Sequence, residues 1–329
     1  MRAFQLRAGG GLMASTGRPT PQPSAGQVLV RVRATSVNAR DRLIVAGKYV
    51  VDVPTGRIPL SDGAGVVEAV GDGATRFRVG DGVVGTFHPD WLDGPFPGWG
   101  ELRGTHRDGW LTQYLAVDEQ SLVAMPDQLS FEEAATLPCA ALTAWSAVRG
   151  VGPGDTLLVQ GSGSVSLFGL QFGRLAGARV LATTSSPEKA RRLGDLGASD
   201  VVDYTSTREW GARVHELTDG GVDRIVEIGG GGESIDQSVE ALAHGGQIAL
   251  VGNLASGSGM ELTRFFRRAA TLRSVSVGSR SDFEEMNRHI ARHHLRPVID
   301  RVFPFEEAPE AFAYFEEGRH LGKVVISHG

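Results

Sequence analysis

A single cysteine stands in the 329 residues. It excludes an internal disulfide and fits a reducing compartment. Nowhere does the chain approach the roughly 20 apolar residues of a membrane-spanning helix, so no membrane partner is expected. The opening residues MRAFQLRAGG hold no apolar leader core, and a cytoplasmic location is the expectation. Basic residues are not in excess. Lys and Arg number 33 against 38 Asp and Glu, a net charge of −5, which gives no footprint for nucleic acid. Long charge blocks, low-complexity tracts and short repeats are missing as well. What is plentiful is glycine, 45 residues, which suits turns and close backbone approach to a ligand. With 41% hydrophobic and 22% charged residues, the composition is that of a soluble chain long enough for two domains.

The most informative stretch is Thr156–Lys189, TLLVQGSGSVSLFGLQFGRLAGARVLATTSSPEK. A strand-like run, Thr156–Gln160, leads into Gly161, Ser162, Gly163, Ser164, Val165 and Ser166. A helix-like run to Ala176 follows, then a second apolar run, Arg179–Thr184. Strand, glycine turn, helix, strand is the context that makes a glycine motif a dinucleotide site. Gly161 permits the tight turn and Gly163 lets backbone approach a pyrophosphate. The unpaired N–H groups and dipole of the helix start favour that anion. Ser166 stands where the fingerprint has its third glycine, and is small enough for close helix–strand packing. The plain alternative is an ordinary βαβ turn.

The end of the second strand indicates which dinucleotide. An NAD site usually holds Asp or Glu there for the ribose 2′-hydroxyl. Here Ser185, Ser186 and Lys189 follow the strand, and the only acid, Glu188, lies in the next helix start. Hydroxyls and a lysine suit a 2′-phosphate through charge-assisted hydrogen bonds, so NADPH is the expected cofactor. Ser186 also reads as a helix cap with Pro187 behind it, and a capped helix start binds phosphate equally well.

Residues 1–120 read as β-rich. Val28–Ala34 alternates apolar and basic, as a half-buried strand does, and Gly63–Val70 and Gly82–Thr86 are short strands. Ser130–Arg149 reads as one helix opened by a capping box. From Asp155, strands at Thr156–Gln160, Arg179–Thr184, Asp200–Tyr204, Asp223–Ile228, Gln247–Val251 and Ser274–Val277 alternate with helices. Six such strands imply a doubly wound parallel sheet. A last helix, Asp282–His294, precedes strands at Pro297–Phe305 and Lys323–Ser327. One domain inserted into another is the expectation, with the active site in the cleft between them.

The blocks SVNARDRLIVAGKY (36–49), IPLSDGAGVVEAVG (58–71), VGDGVVG (79–85), LPCAALTAWSAV (137–148), LGASDVVDY (196–204), HGGQIALVGN (244–253) and LGKVVI (321–326), with the glycine turn, stand in order along the chain. Together they resemble the medium-chain dehydrogenase/reductase superfamily, within it the zinc-independent quinone-oxidoreductase-like group. The resemblance implies an α/β fold with a GroES-like β-barrel catalytic domain, 1–123 and 295–329, and a Rossmann domain with a six-stranded parallel sheet, 124–294. It also implies a homodimer formed through the last Rossmann strand, Ser274–Ser279.

Zinc members of that superfamily place a Cys in the early loop, a His-Glu pair before the glycine-rich strand, and a third ligand near the central helix. Here Arg40-Asp41 lies in the early loop, Ser61-Asp62 stands at the His-Glu position, and only Cys139 matches a ligand. One thiolate does not make a three-ligand catalytic zinc site, and no metal is expected. His289 and His293 have metal-like spacing without a third ligand and read as a solvated face. Without a Lewis acid, hydrogen-bond donors must hold the charge that arrives on oxygen. That suffices most readily when the charge is delocalised, as in a quinone or an α,β-unsaturated carbonyl. The alternatives are a metal-free alcohol dehydrogenase or carbonyl reductase, and an NADPH-binding protein without turnover.

The resemblance implies roles for single residues. Asn38, Asp41 and Tyr49 match the early-loop Asn, Asp and Tyr. Asn38 would bond cofactor or substrate carbonyl, Tyr49 would donate a proton or line the cleft, and Asp41 would organise the loop. Arg40 is a cation facing the nicotinamide, or else a salt bridge with Asp41 or Asp62. Thr143 matches a threonine on the nicotinamide side, or bonds back within its helix. Tyr204 would lie near the adenosine phosphate. Gly252, Asn253, Ser279 and Lys323 would reach the cofactor. In the Gly/Pro-rich loop Phe87–Gly109 and at its end stand Trp91, Trp99 and Trp110, with Phe96. Trp91 and Trp99 would cap a flat substrate or anchor the loop, with Phe265 and Phe266 in the same cleft.

Overall fold

A computed structural model describes residues 1–252 and 261–329. By packing, these form two units, Met1–Leu142 with Val277–Gly329, and Thr143–Ser276. The first leg carries β1 (Ala3–Leu6), β2 (Leu12–Ser15), β3 (Gln27–Val37), α1 (Ala39–Val45), β4 (Asp62–Val70), β5 (Gly82–Gly85), β6 (Tyr114–Asp118), β7 (Leu122–Ala124) and α2 (Phe131–Ala134), and α3 (Leu142–Val148) opens the second unit. The second unit then carries β8 (Thr156–Gln160), α4 (Ser164–Leu175), β9 (Arg179–Thr184), α5 (Pro187–Asp195), β10 (Asp200–Asp203), α6 (Trp210–Leu217), β11 (Val222–Glu227), α7 (Gly232–Ala241), β12 (Leu242–Leu250), α8 (Leu262–Arg268) and β13 (Thr271–Ser274). The chain returns to the first unit with α9 (Arg280–His293), β14 (Ile299–Pro304), α10 (Ala308–Glu316) and β15 (Lys323–Ser327).

In the first unit the alternation of Val28, Val30 and Val32 buries one face of β3 against Val67, Val83, Leu115 and Val117. The sheet runs β14-β15-β3-β4-β5-β7, with β6 also on β3. β15 and β3 are antiparallel, with Val324 opposite Val37. That register brings Lys323 to the end of β3, beside Asn38. A second core gathers Phe4, Val37, Ile58, Phe303, Phe312 and Ile326.

Trp110 is fully buried in the first core and is no part of an exposed aromatic loop. Two glycines make room for its ring. A Cβ at Gly63 would lie 2.5 Å from the indole, and one at Gly85 would lie 2.2 Å away. Gly85→Ala is expected to cost about 1–3 kcal/mol by overpacking. A lowered thermal midpoint with an unchanged far-ultraviolet spectrum is the predicted result, and a wild-type midpoint would contradict it.

The single helix expected over Ser130–Arg149 is three pieces: α2, a π-helical turn at Leu137–Ala141, and α3. Pro138 has no N–H to continue the α2 ladder, so the helix must break and restart there. Residues 124–142 and 277–294, placed with the Rossmann domain by the resemblance, pack with the first unit. Phe283, Met286 and Ile290 of α9 are fully buried. Asn287 Nδ2 of α9 donates to Ala124 O at 3.0 Å, and Gln128 Nε2 donates to Ile290 O at 3.3 Å.

The second unit is a six-stranded parallel sheet in the order β10-β9-β8-β11-β12-β13. Its order reverses between β8 and β11, where ligands sit at the carboxyl edge of doubly wound sheets. Leu158, Leu181, Val222, Ile225 and Ile248 fill its core. β13 ends at Ser274, where the sixth strand was expected to begin.

Candidate active site

The first unit gathers a buried charge cluster at the start of α1. Asn38 is the N-cap of that helix and 8% exposed. Its backbone N–H donates to Asp41 Oδ2 at 3.0 Å, which ties the loop as expected of Asp41. Lys323 Nζ, on β15, donates to Asn38 Oδ1 at 2.8 Å and Val37 O at 3.1 Å, and Asp62 Oδ2 lies 3.8 Å from it. Asp62 also accepts from Ser61 Oγ at 2.8 Å and from the Cys139 N–H at 3.3 Å.

Arg40 reaches across the same loop. Its Nε donates to Tyr49 Oη at 3.4 Å and its Nη1 to Arg103 O at 3.2 Å. The guanidinium lies 5.2 Å from the ring centroids of both Tyr49 and Phe87. Asp41 Oδ1 is 3.6 Å from Nη1, so of the alternatives for Arg40 the salt bridge with Asp41 forms. Two N–H donors of this cluster, Asn38 Nδ2 and Arg40 Nη2, are buried with no protein acceptor. Buried donors are rarely left so, and both are suited to an oxygen of a ligand.

Burial pushes Asp41 up to about 6 from its ordinary 3.8, although Arg40 opposes the shift. The folded protein therefore holds this proton where the unfolded chain releases it. Stability falls as pH rises from about 4 to about 6, and the loss persists above that range. Asp41→Asn keeps an acceptor for the Asn38 N–H and removes the titration. Its thermal midpoint is expected to vary less than wild type between pH 4.5 and 7.5, and an unchanged profile would contradict the assignment.

These side chains do not make a zinc set. Cys139 is the chain's one thiol, and a catalytic zinc takes three protein ligands. Asp62 is held by Ser61, Cys139 N–H and the Lys323 ammonium. Among the described residues no group of three or more His, Cys, Asp or Glu could hold a metal ion.

The aromatic loop packs on itself. His88, 4% exposed, lies within 4.9–5.6 Å of the rings of Phe87, Trp91, Phe96 and Trp99. Trp91 Nε1 donates to Gly94 O at 3.0 Å, and Trp91 O accepts the Arg280 N–H at 2.9 Å. Trp91 thus anchors the loop to the start of α9, while Trp99 remains 67% exposed. Ser279 is spent at that helix start: it caps α9 and donates to Asp282 Oδ2 at 2.8 Å. Lys323 likewise belongs to the Asn38 cluster of the first unit, with no exposed surface.

The second unit presents the expected nucleotide cradle. Gly161 has φ +74°, the left-handed region where glycine is favoured, and its N–H donates to Thr183 Oγ1 at 3.2 Å. Gly163 is the N-cap of α4. A Cβ on either glycine would meet open space, so nothing of the protein fills the cradle. Ser162 is buried, and Ser164 and Val165 form the first turn of α4. Ser166 donates its hydroxyl to Gln160 O, which satisfies the polar group placed at the third-glycine position. A cavity of about 570 Å³ adjoins this turn, lined among others by Gly161, Thr183, Tyr204, Arg208 and Ser234. Ser186 caps α5 and accepts the Lys189 N–H at 3.4 Å, and Ser185 is exposed at the end of β9. These residues fit a dinucleotide.

Of the other expected cofactor or substrate residues, Gly252 stands beside Ile228 of the cavity lining. Thr143 is buried in α3. Phe265 packs against the core of the second unit, and Phe266 is 87% exposed. Gly252 lies so close to Ile228 O that a Cβ would sit 1.7 Å away. Asn253 lies outside the described residues.

Sequence reading missed the brace behind the cradle. Glu227, fully buried at the end of β11, accepts from Gln160 Nε2 at 2.6 Å, Ser234 Oγ at 2.7 Å, Gly230 N at 3.1 Å and the Ser238 hydroxyl. It also missed Arg208, whose only signal was a cation just past β10 at the carboxyl edge.

Fold and cradle together define an NAD(P)-dependent oxidoreductase. The sequence profile of the alcohol dehydrogenase GroES-like domain matches residues 24–127, and that of the zinc-binding dehydrogenase residues 196–326. A zinc-type alcohol dehydrogenase-like protein of Schizosaccharomyces pombe is 41% identical over 315 residues, covering 92% of this chain and 90% of the relative. A 2-methylene-furan-3-one reductase of Solanum lycopersicum is 31% identical, covering 93% and 73%. A quinone oxidoreductase of Pseudomonas aeruginosa is 31% identical, covering 93% and 92%. The crystal structure of an NAD-dependent alcohol dehydrogenase superposes with a TM-score of 0.91 at 35% identity, covering 100% of each chain. The chain belongs to the medium-chain dehydrogenase/reductase superfamily, with a GroES-like domain and a Rossmann domain.

Proposed function

We propose that the protein is a zinc-independent, NADPH-dependent reductase of conjugated carbonyls, a quinone or an α,β-unsaturated ketone. The observation that carries this reading is the pair of buried donors without acceptors, Asn38 Nδ2 and Arg40 Nη2, in a cluster whose other side chains do not suit zinc. When bound to the second unit, NADPH supplies the hydride. Asn38 and Arg40 hold the substrate oxygen as negative charge grows on it. Each preorganised donor of this kind is worth about 2.7–4 kcal/mol, and delocalisation over a conjugated system lowers what they must supply. Tyr49, whose hydroxyl accepts from Arg40 Nε, is placed to deliver the proton. Ser185, Lys189 and Arg208 are the groups that favour a 2′-phosphate.

The names of the tomato and Pseudomonas relatives, an enone reductase and a quinone oxidoreductase, support this substrate class. NADPH consumption against a quinone, an enone, a saturated ketone and an aldehyde, each with and without chelator, tests it. Chelator-insensitive turnover of the first two is expected. Turnover confined to the ketone or aldehyde would favour a carbonyl reductase, and cofactor binding with no turnover would favour a binding role. A homodimer joined through the edge strand β13 is part of the same proposal, and a monomeric mass by light scattering would contradict it.

A further inference from the structure

Lys323 is fully buried, whereas most lysines keep their ammonium in water; burial lowers its pKa, and the Asp62 carboxylate beside it favours the charged form. Its partners are all oxygens: Asn38 Oδ1 at 2.8 Å, Val37 O at 3.1 Å and Asp62 Oδ2 at 3.8 Å. An ammonium only donates. It can therefore hold the oxygen of the Asn38 amide and never its nitrogen. This chemistry fixes which end of the amide faces inward, and leaves Nδ2 as the end without a protein acceptor. A cation on the amide oxygen also draws electron density from the nitrogen and strengthens its N–H groups as donors. Asp62 balances the ammonium, and is itself fastened by Ser61 and the Cys139 N–H.

We propose that Lys323 is a positioning residue that orients and polarises the Asn38 amide toward the substrate oxygen. The cation that assists the carbonyl is thus built into the chain and acts through one amide. The proposal rests on the reading of Asn38 as the carbonyl donor.

A double-mutant cycle tests it, with kcat and KM measured on whichever carbonyl the wild type reduces. If Lys323 acts through Asn38, Lys323→Met loses kcat to within a few-fold of Asn38→Ala, with KM for NADPH unchanged. The double variant is then no slower than Asn38→Ala, because contacting residues of one unit are non-additive. Losses that multiply, or a Lys323→Met variant with wild-type kcat, overturn the proposal. Should Lys323→Met fail to fold, the neutral pair Lys323→Met with Asp62→Asn carries the same expectation.

A second readout does not depend on turnover. Asn38→Asp places a carboxylate on the ammonium in the wild-type background. The same change with Lys323→Met leaves that carboxylate beside Asp62 and Asp41. The thermal midpoint should fall much further in the second background. Equal shifts overturn the contact whether or not any acceptor is reduced, which separates failure here from failure of the functional reading.

Discussion

Asn38→Ala is expected to lower kcat on an enone or quinone by about 10²–10³-fold, the usual effect of deleting one preorganised donor to a developing oxyanion. Asn38 is 8% exposed, and its Nδ2 has no protein acceptor, so its hydrogen-bonding capacity is free for a ligand. Its oxygen is committed to Lys323, and its backbone to Asp41. Alanine keeps the backbone bond and removes only the amide. NADPH affinity should therefore stay near wild type, while the loss appears in kcat, as for an interaction made in the transition state. A fall in NADPH affinity with kcat intact would move Asn38 from the substrate to the cofactor.

Ser185→Asp combined with Lys189→Glu is expected to reverse cofactor preference. A hydrogen bond to a charged group contributes about 1.5–3 kcal/mol, so losing two of them weakens NADPH binding by 10²-fold or more. The introduced carboxylates also repel the 2′-phosphate, while Asp at the end of β9 accepts the ribose hydroxyls of NADH. Ser185 is exposed at that strand end and Lys189 is half-buried in the first turn of α5, so neither substitution enters a core. Dissociation constants from cofactor fluorescence check it. A wild type that prefers NADH, with no change in the variant, would align this chain with the NAD-dependent alcohol dehydrogenase it resembles in structure and would remove the NADPH assignment.

The nucleotide cradle was legible because its chemistry is local. Gly161, Gly163 and Ser166 announce a tight turn and a close helix, and the observed β8 and β9 have the residues expected of them. The charge cluster was only half legible. Asn38, Arg40, Asp41 and Tyr49 share one loop, but Lys323 lies 285 residues beyond Asn38 and reaches it through the pairing of Val324 with Val37. No local pattern encodes that register. The burial of Trp110 was not legible for a related reason. Its cavity is made by Gly63 and Gly85, on strands distant in sequence. Ser279 carried a capping signal with Asp282, and it caps α9 as that signal indicates.

The central claim is conjugate hydride transfer without a metal. The direct test is reduction of an enone by NADPH deuterated at nicotinamide C4, in the presence of chelator, with the label located in the product. Deuterium at the β-carbon of a saturated ketone is the predicted result. Deuterium at the carbonyl carbon of an allylic alcohol would contradict the account, as would turnover that chelator abolishes and added zinc restores.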